Sequence, residues 1–223
     1  MGKMVKTVVL VSGGGVSLQA IIDAKMFGEV PGCDLIAVIS TREDAYALKR
    51  AEMAGIPGYV IERELFPSEV VFGYAVLDKL RDLDAELIIL AGYNAEITPQ
   101  ILKRFAGKII DSYPSLMPAF TSEDIPLAEV CRTAMREGVK ITGATAYFVT
   151  EKPRHGPIII QKAVAVREGE PVSALQRRVL EEGENNVLPR ALALFCEGRL
   201  TVENGVVHVD ESPASSANEK GSR

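Results

Sequence analysis

Three stretches of the chain place chemically capable residues beside predicted turns and strand ends. The first is Ser12-Gly13-Gly14-Gly15-Val16-Ser17, which separates an apolar run from a segment with helical spacing. Successive glycines let the backbone approach a ligand closely, and the amides at a helix N-terminus attract anions. The stretch matches neither GxGxxG nor GxxxxGK[ST]. We expect residues 13–17 to bind a phosphate group, with Ser17 as the helix N-cap; the alternative is a tight turn that binds nothing.

The second stretch, Asp111-Ser112-Tyr113-Pro114, lies at the carboxyl end of an interior strand predicted over residues 109–111. Ligands of open α/β sheets bind at this end of the strands. Side chains two residues apart on a strand point the same way, so Asp111 and Tyr113 would present a carboxylate and a phenol to one site. The alternative is an aspartate that caps the strand end beside a half-buried tyrosine.

The third stretch is the loop Glu151-Lys152-Pro153-Arg154-His155-Gly156, which holds one of the two histidines in the chain. An imidazole titrates near neutral pH and is suited to proton transfer. The alternative is a solvated surface histidine. The second histidine, His208, lies near the end of the ordered pattern and is not expected to be catalytic.

Hydrophobic patterning predicts the elements that position these residues. Thr7–Val11 and Leu87–Ala91 are apolar runs typical of strands buried on both faces, and they alternate with segments of helical spacing. This order predicts right-handed crossovers and a mostly parallel sheet. Gly143–Val149 and Pro157–Val166 follow one another without a helix, which indicates an antiparallel pair. The predicted fold class is α/β: a doubly wound, mostly parallel sheet with an antiparallel edge in the second half.

The patterning shows no linker or repeat, so we expect a single domain over residues 1–210. Two separate helices are predicted at Val172–Glu182 and Val187–Cys196, followed by a small hairpin. The segment Glu211–Arg223 is rich in Ser, Glu and Lys and is expected to be a disordered tail.

Composition narrows the classes of partner. The 223 residues include 25 basic and 30 acidic side chains, a formal net charge of −5, which argues against a nucleic-acid interface built on bulk positive charge. No apolar run approaches the ~20 residues of a membrane span, and no cleavable signal pattern is present. We therefore expect no membrane partner and a cytoplasmic location. The three cysteines lack metal-ligand spacing, so we expect free buried thiols and no metal site.

Six motifs carry a family resemblance in a constant order over roughly residues 5–202. They are Val11-Ser12-Gly13-Gly14-Gly15-Val16-Ser17-Leu18-Gln19-Ala20-Ile21-Ile22-Asp23, Asp44-Ala45-Tyr46-Ala47-Leu48-Lys49-Arg50-Ala51, Leu90-Ala91-Gly92-Tyr93, Pro114-Ser115-Leu116-Met117-Pro118, Gly143-Ala144-Thr145-Ala146-Tyr147-Phe148-Val149-Thr150 and Gly156-Pro157-Ile158-Ile159-Ile160-Gln161. Together they resemble the phosphoribosylglycinamide formyltransferase family. The resemblance implies a formyltransferase-like fold and transfer of a formyl group from 10-formyltetrahydrofolate to the amine of glycinamide ribotide in purine synthesis.

The same resemblance implies binding roles for particular residues. The ribotide phosphate would lie at the glycine turn, and Glu184 would contact the ribose, provided that one residue is inserted in the preceding helix. Tyr93-Asn94-Ala95-Glu96-Ile97 would form the folate side. No cofactor would be tightly bound, since 10-formyltetrahydrofolate is a co-substrate. Glu96 stands where the family has an apolar residue, and burying its charge without a partner is costly, so we expect weak folate binding.

The chain departs from the family pattern at three catalytic positions. The family's Asn-x-His reads Asp111-Ser112-Tyr113 here, and Arg154 stands where the family has an aspartate. Formyl transfer passes through a tetrahedral oxyanion, which a carboxylate repels, and a guanidinium cannot accept a proton. We expect Asp111 and Arg154 to close as an ion pair in the unliganded site. The alternative is that Arg154 holds an anionic substrate group while Asp111 manages a proton beside Tyr113 or His155.

These departures leave three functions open. The preferred hypothesis is a divergent enzyme that acts on a small phosphorylated ligand of the ribotide kind, by an altered transfer or by hydrolysis, through Asp111, Tyr113, Arg154 and His155. The first alternative is a working glycinamide ribotide formyltransferase with substituted catalytic groups. The second is a non-catalytic ligand-binding or regulatory protein. A monomer and a homodimer are both compatible with the sequence.

Overall fold

A seven-stranded sheet forms the centre of the molecule, in a computed structural model that describes residues 4–121 and 126–211. The strand order is β3-β2-β1-β4-β5-β6-β7, and a separate hairpin pairs β8 with β9. The strands are β1 (Val5–Val11), β2 (Cys33–Ser40), β3 (Gly58–Val60), β4 (Leu87–Leu90), β5 (Ile109–Tyr113), β6 (Ile141–Phe148), β7 (Ile158–Ala165), β8 (Leu200–Glu203) and β9 (Val206–Val209). The order reverses at β1, so ligands are expected beyond the carboxyl ends of β1 and β4.

Strand directions confirm the predicted fold class. The ladders among β1 to β5 are parallel, whereas β5–β6 and β6–β7 are antiparallel. The apolar residues 8–11 of β1 and the fully apolar β4 fit this arrangement because both strands lie inside the sheet with helices on both faces. The antiparallel part lies at the β7 edge, where the consecutive strands without a helix placed it.

Seven α-helices cover the sheet in the described residues. They are α1 (Val16–Met26), α2 (Tyr46–Met53), α3 (Glu69–Asp82), α4 (Pro99–Arg104), α5 (Leu127–Arg136), α6 (Val172–Arg178) and α7 (Asn185–Cys196). Side chains of α1 and α7, including Leu18 and Leu188, pack in one apolar cluster, and Phe72 and Ile101 of α3 and α4 pack in the other. The two clusters sandwich the sheet, which makes its strand ends a rigid platform.

The first helix begins two residues earlier than predicted. Val16 is its first residue, and Gly15 occupies the N-cap position with φ 69° and no side-chain cap. The prediction that Ser17 caps the helix is therefore wrong, because the left-handed conformation of Gly15 turns the chain into the helix before Ser17 is reached.

The two helices predicted after residue 172 form one continuous helical run. A π-helical segment over Val179–Glu184 connects α6 directly to α7. A π turn holds one more residue than an α turn, so it absorbs an extra residue without breaking the helix. An inserted residue, on which the expected role of Glu184 depends, would be accommodated by such a turn.

Two further expectations concern the ends of the chain and the membrane. Residues 212–223, most of the expected tail, lie outside the described residues. Among the residues that are described, no helix has both the length and the apolar character needed to cross a membrane.

Candidate functional site

A cleft of about 1300 Å³ opens beyond the carboxyl ends of β1, β4 and β5. It brings together nearly all of the residues singled out in the sequence. The lining includes the glycine turn, the segment after β4, the end of β5, the loop after β6 and the end of the π-helical segment; by residue these are Gly13, Gly14, Gly15, Val16, Ser17, Tyr93, Asn94, Glu96, Ile97, Asp111, Ser112, Tyr113, Arg154 and Glu184. The cleft is therefore the candidate active site.

The glycine turn is fixed by close contact with α2. A Cβ on Gly15 would lie 2.7 Å from the Ala47 Cβ, and the φ of 69° disfavours any L side chain. The Ala47 amide donates to the Gly13 carbonyl at 3.0 Å. The first intrahelical bond of α1 runs from the Gln19 amide to the Gly15 carbonyl, so the earlier amides have no helical acceptor. The turn can therefore present main-chain donors to an anion, as expected for a phosphate site.

Arg50 is a part of this turn that the sequence reasoning missed. Its Nε donates to the Gly14 carbonyl at 2.9 Å and its Nη1 to Gln19 Oε1 at 3.0 Å. The guanidinium also lies 5.1 Å from the Tyr46 ring centroid. In the sequence, Arg50 is part of a family motif but has no predicted role, because no local pattern indicates that α2 packs across the turn. It holds the turn in place and adds positive charge behind it.

A buried hydroxyl network joins the glycine turn to the segment after β4. Thr41 Oγ1 donates to Ser12 Oγ at 2.7 Å, and the Asn94 amide donates to the same oxygen at 3.0 Å. The Ser12 amide donates to the Gly92 carbonyl at 3.1 Å. These bonds fix residues 92–94 against the turn, so the two predicted binding segments form one continuous wall.

The segment predicted to bind folate lines the cleft, but Glu96 is not buried there in the unliganded protein. Glu96 is exposed in the unliganded protein, so its charge is solvated and the expected cost of a buried carboxylate is not incurred there. Tyr93 is more confined: its hydroxyl is buried and has no hydrogen-bond partner among the described residues. Burial raises the pKa of Tyr93, with the nearby Glu69 charge adding to the effect. The hydroxyl therefore stays protonated and can donate a hydrogen bond to a ligand.

At the end of β5, Asp111 is held by two donors. Its Oδ2 accepts from the Tyr147 hydroxyl at 2.9 Å, and its Oδ1 accepts from the Ser112 amide at 2.8 Å. Tyr147 lies directly opposite Asp111 in the β5–β6 ladder. Burial and the Asp111 charge raise the pKa of Tyr147, so it stays a neutral donor. Tyr147 was not singled out in the sequence, because its position depends on the antiparallel register.

Ser112 connects this strand to a second carboxyl group. Its Oγ donates to Glu184 Oε1 at 2.9 Å. Glu184 is 9% exposed, and burial raises its pKa to about 7, an effect that the Ser112 hydrogen bond opposes and the Asp111 charge reinforces. A carboxyl group with this pKa exchanges a proton near neutral pH. The site thus holds two neighbouring carboxyl groups in different environments.

Tyr113 and Arg154 flank this pair. The Tyr113 hydroxyl donates to the Phe120 carbonyl at 2.8 Å, so its proton is engaged within the protein and does not point to a ligand. Arg154, which has a φ of 54°, places its guanidinium 5.5 Å from the Tyr113 ring centroid. Its charge also acts on Tyr147, the hydrogen-bond partner of Asp111. Asp111 and Arg154, two of the positions that depart from the family pattern, therefore line one cleft. The ion pair between them stays a prediction.

His155 is the one predicted catalytic residue that the structure does not bring into the cleft. Its side chain is exposed, and Nδ1 lies 2.8 Å from the Pro153 carbonyl oxygen. It is absent from the cleft lining. The left-handed conformation at Arg154 directs the chain so that residue 154 faces the cleft and residue 155 faces solvent, which matches the alternative of a solvated loop histidine.

The fold and cleft define the class: an α/β protein with a glycine turn at a helix N-terminus beside a cluster of ionisable groups. Comparison with known proteins gives the family. The formyl transferase family model matches residues 5–192, and this chain belongs to that family. Phosphoribosylglycinamide formyltransferase of Haemophilus influenzae is 35% identical over 207 residues, covering 93% of this chain and 94% of that protein.

Solved structures agree with this assignment. Glycinamide ribonucleotide transformylase 1 from Symbiobacterium toebii is 40% identical, with a TM-score of 0.87 over 94% of this chain and 95% of that chain. A formyltetrahydrofolate deformylase from Pseudomonas syringae is 25% identical, with a TM-score of 0.83 over 93% of this chain and 66% of that chain. The first is a transferase by name, and the second is a deformylase on the same fold.

Proposed function

We propose that the chain is a divergent formyl-group enzyme that binds a small phosphorylated ligand of the ribotide kind at the glycine turn. The observation that carries this proposal is the continuity of the cleft, in which the turn and the two carboxyl groups line one space. The names of the relatives, phosphoribosylglycinamide formyltransferase and glycinamide ribonucleotide transformylase, support a ribotide as the phosphorylated ligand.

Binding of the phosphate would use the amides of residues 13–17. A phosphate dianion is stabilised by the dipole of α1 and by converging main-chain donors. The Arg50 guanidinium, bonded to the Gly14 carbonyl, would add a positive charge behind the turn. The ribose and the amine would then extend toward Glu184 and Asp111, since these residues line the same cleft.

The formyl donor would approach along residues 93–97. A folate of the 10-formyltetrahydrofolate type is the co-substrate that the family suggests, and it would be exchanged at each turnover. The exposed Glu96 carboxylate would have to lose part of its hydration when such a ligand covers it. We therefore expect reduced folates to bind more weakly here than to relatives with an apolar residue at this place.

The chemical step would distribute two tasks among the residues present. Attack of an amine on the formyl carbonyl produces a tetrahedral oxyanion and makes one amine proton acidic. Collapse of this intermediate breaks the bond from the formyl carbon to the donor nitrogen, which takes up the proton. Arg154, which lines the cleft with its guanidinium 5.5 Å from the Tyr113 ring centroid, would stabilise the oxyanion. Glu184, whose pKa is raised to about 7 by burial, would accept the proton in its ionised form. Asp111, which accepts hydrogen bonds from Tyr147 and Ser112, would orient the strand end.

Hydrolysis of the formyl donor is the second candidate, and the deformylase of similar fold favours it. In that reaction water replaces the amine, and formate is released without consumption of a ribotide. A non-catalytic binding protein would bind the ligand and release neither product.

One assay distinguishes these functions. The purified protein is first screened by thermal shift against ribotides and reduced folates, and hits are then incubated with 10-formyltetrahydrofolate with and without glycinamide ribotide. Ribotide-dependent loss of the formyl donor supports transfer, and ribotide-independent formate release supports hydrolysis. Stabilisation by neither ligand class would contradict the proposal.

A further inference from the structure

Two cysteines far apart in the sequence meet on the side of the sheet that α7 covers. Cys33 opens β2, and Cys196 ends α7. The Cys33 Sγ lies 3.5 Å from the Thr7 Oγ1, and Cys196 packs against the apolar cluster that contains Cys33. Cys196 also lies against the residue that precedes Cys33, since a Cβ built on Gly32 would be 3.6 Å from the Cys196 Cβ. The contact is therefore built by the fold and is not an accident of long side chains.

Cys33 is the thiol of the pair that ionises more readily. Interaction with the Cys196 side chain lowers the pKa of Cys33 to about 7 against the effect of burial, with smaller contributions from Thr7 and the Lys25 charge. The same interaction raises the pKa of Cys196. Lys25 is fixed beside the pair because its Nζ donates to the Cys33 carbonyl at 2.8 Å. A thiolate with a second sulfur in contact is the arrangement from which disulfides form.

Cys196 is the more accessible of the two cysteines, since it is half-buried whereas Cys33 is only 1% exposed. A small oxidant would therefore enter from the Cys196 side. The third cysteine, Cys131, provides a contrast within the chain. It is buried in a separate apolar cluster, and burial raises its pKa to about 11, so it is inert at neutral pH.

We propose that Cys33 and Cys196 form a redox-active dithiol that closes to an intramolecular disulfide when the protein meets hydrogen peroxide. The Cys33 thiolate attacks one peroxide oxygen, the O–O bond breaks, and the departing hydroxide takes up a proton to give water and a sulfenic acid at Cys33. The Cys196 sulfur then attacks the Cys33 sulfur, forming the S–S bond. The sulfenic hydroxyl leaves with the Cys196 proton as a second water. A dithiol reductant reverses the reaction.

The bridge would connect β2 to α7 across most of the chain length. Closing so long a loop restricts the unfolded chain and stabilises the folded one. The proposal is independent of the formyl-group function, because neither cysteine lines the cleft.

The test uses the full chain, first reduced and then exposed to hydrogen peroxide. After alkylation under denaturing conditions and digestion, mass spectrometry is expected to find one cross-linked pair of peptides, containing Cys33 and Cys196, with Cys131 alkylated. The oxidised protein is expected to melt about 5 °C higher than the reduced one, and dithiothreitol is expected to remove both effects.

Two variants keep the proposal open to contradiction. Cys131→Ala retains the pair and is expected to form the same cross-link, whereas Cys196→Ala is expected to form none and to lose the peroxide-dependent rise in melting temperature. Alkylation of both Cys33 and Cys196 after peroxide treatment would overturn the proposal. So would stepwise oxidation of either sulfur to sulfinic acid with no cross-link in the wild-type chain.

Discussion

At the glycine turn the groups that face the cleft are main-chain amides, whereas at the end of β5 they are side chains contributed by three distant elements. The turn is held by contacts with a single helix, through Ala47 and Arg50. The other end combines Asp111 of β5, Tyr147 of β6 and Glu184 of the π-helical segment. A backbone site tolerates changes of side chain, while a side-chain site changes its chemistry with each substitution. Binding can therefore persist while catalysis diverges.

The largest effect is expected when the family pattern is restored at the end of β5. The triple variant Asp111→Asn, Tyr113→His, Arg154→Asp is expected to gain formyl transfer to glycinamide ribotide by about 100-fold or more, since removing one oxyanion donor typically costs ~10²–10³ in turnover. The measurement is the initial rate of transfer from 10-formyltetrahydrofolate. If the variant binds both substrates and stays inactive, the surrounding loops matter more than these three residues.

A second prediction concerns the proton acceptor. Glu184→Gln is expected to lower turnover by about 100-fold and to abolish the rise of activity with pH near 7, because the amide cannot take up a proton. Ser112→Ala removes a hydrogen bond that lowers the pKa of Glu184, so its activity profile is expected to move to higher pH. Glu182→Gln, an exposed neighbour in the same helical segment, is the matched control and should leave the profile unchanged.

The same carboxyl group makes stability depend on pH. The pKa of Glu184 is raised to about 7 from 4.5, so the folded protein binds more protons than the unfolded chain between these values. The free energy of unfolding is therefore expected to fall, by roughly 2–3 kcal/mol, as the pH rises from about 4.5 to about 7. Denaturant titrations should show this decline in the wild type and its absence in Glu184→Gln.

A third prediction sharpens the comparison at the turn. Gly15→Ala is expected to weaken ribotide binding at least about 30-fold, because the added carbon overlaps Ala47 and strains the backbone. Gly14→Ala adds the same carbon where no atom lies within 4 Å and is the matched control. Calorimetric titration of both variants tests this, and wild-type affinity in the Gly15 variant would remove the turn from the binding site. The contact with Ala47 also implies a lower melting temperature for the Gly15 variant.

The smallest effect is expected at Arg50. Arg50→Ala removes the bonds to the Gly14 carbonyl and Gln19 and is expected to weaken ribotide binding about 10-fold. Lys49→Ala removes a neighbouring positive charge from an exposed position on the same helix. If both variants lose affinity equally, Arg50 acts only through its charge and does not position the turn.

Local patterns predicted the sheet and the turn well, because buried parallel strands and glycine-rich turns depend on adjacent residues. They failed where the chain meets itself. The single helical run through Val179–Glu184 was read as two helices, because a π turn shifts the spacing by one residue. Arg50 and Tyr147 were missed because their roles arise from helix packing and antiparallel register. Asp111 and Glu184 can both be singled out from the sequence. Their connection through Ser112 depends on the tertiary structure.

The central claim is that ribotide binding is retained at the turn while the usual transfer reaction is altered at the end of β5. It is tested most directly by measuring ribotide affinity and single-turnover formyl transfer on the wild-type chain, with the Haemophilus influenzae relative as reference. We expect affinities within about tenfold of each other and a transfer step slower here by ~10² or more. Equal transfer rates in the two proteins would contradict it.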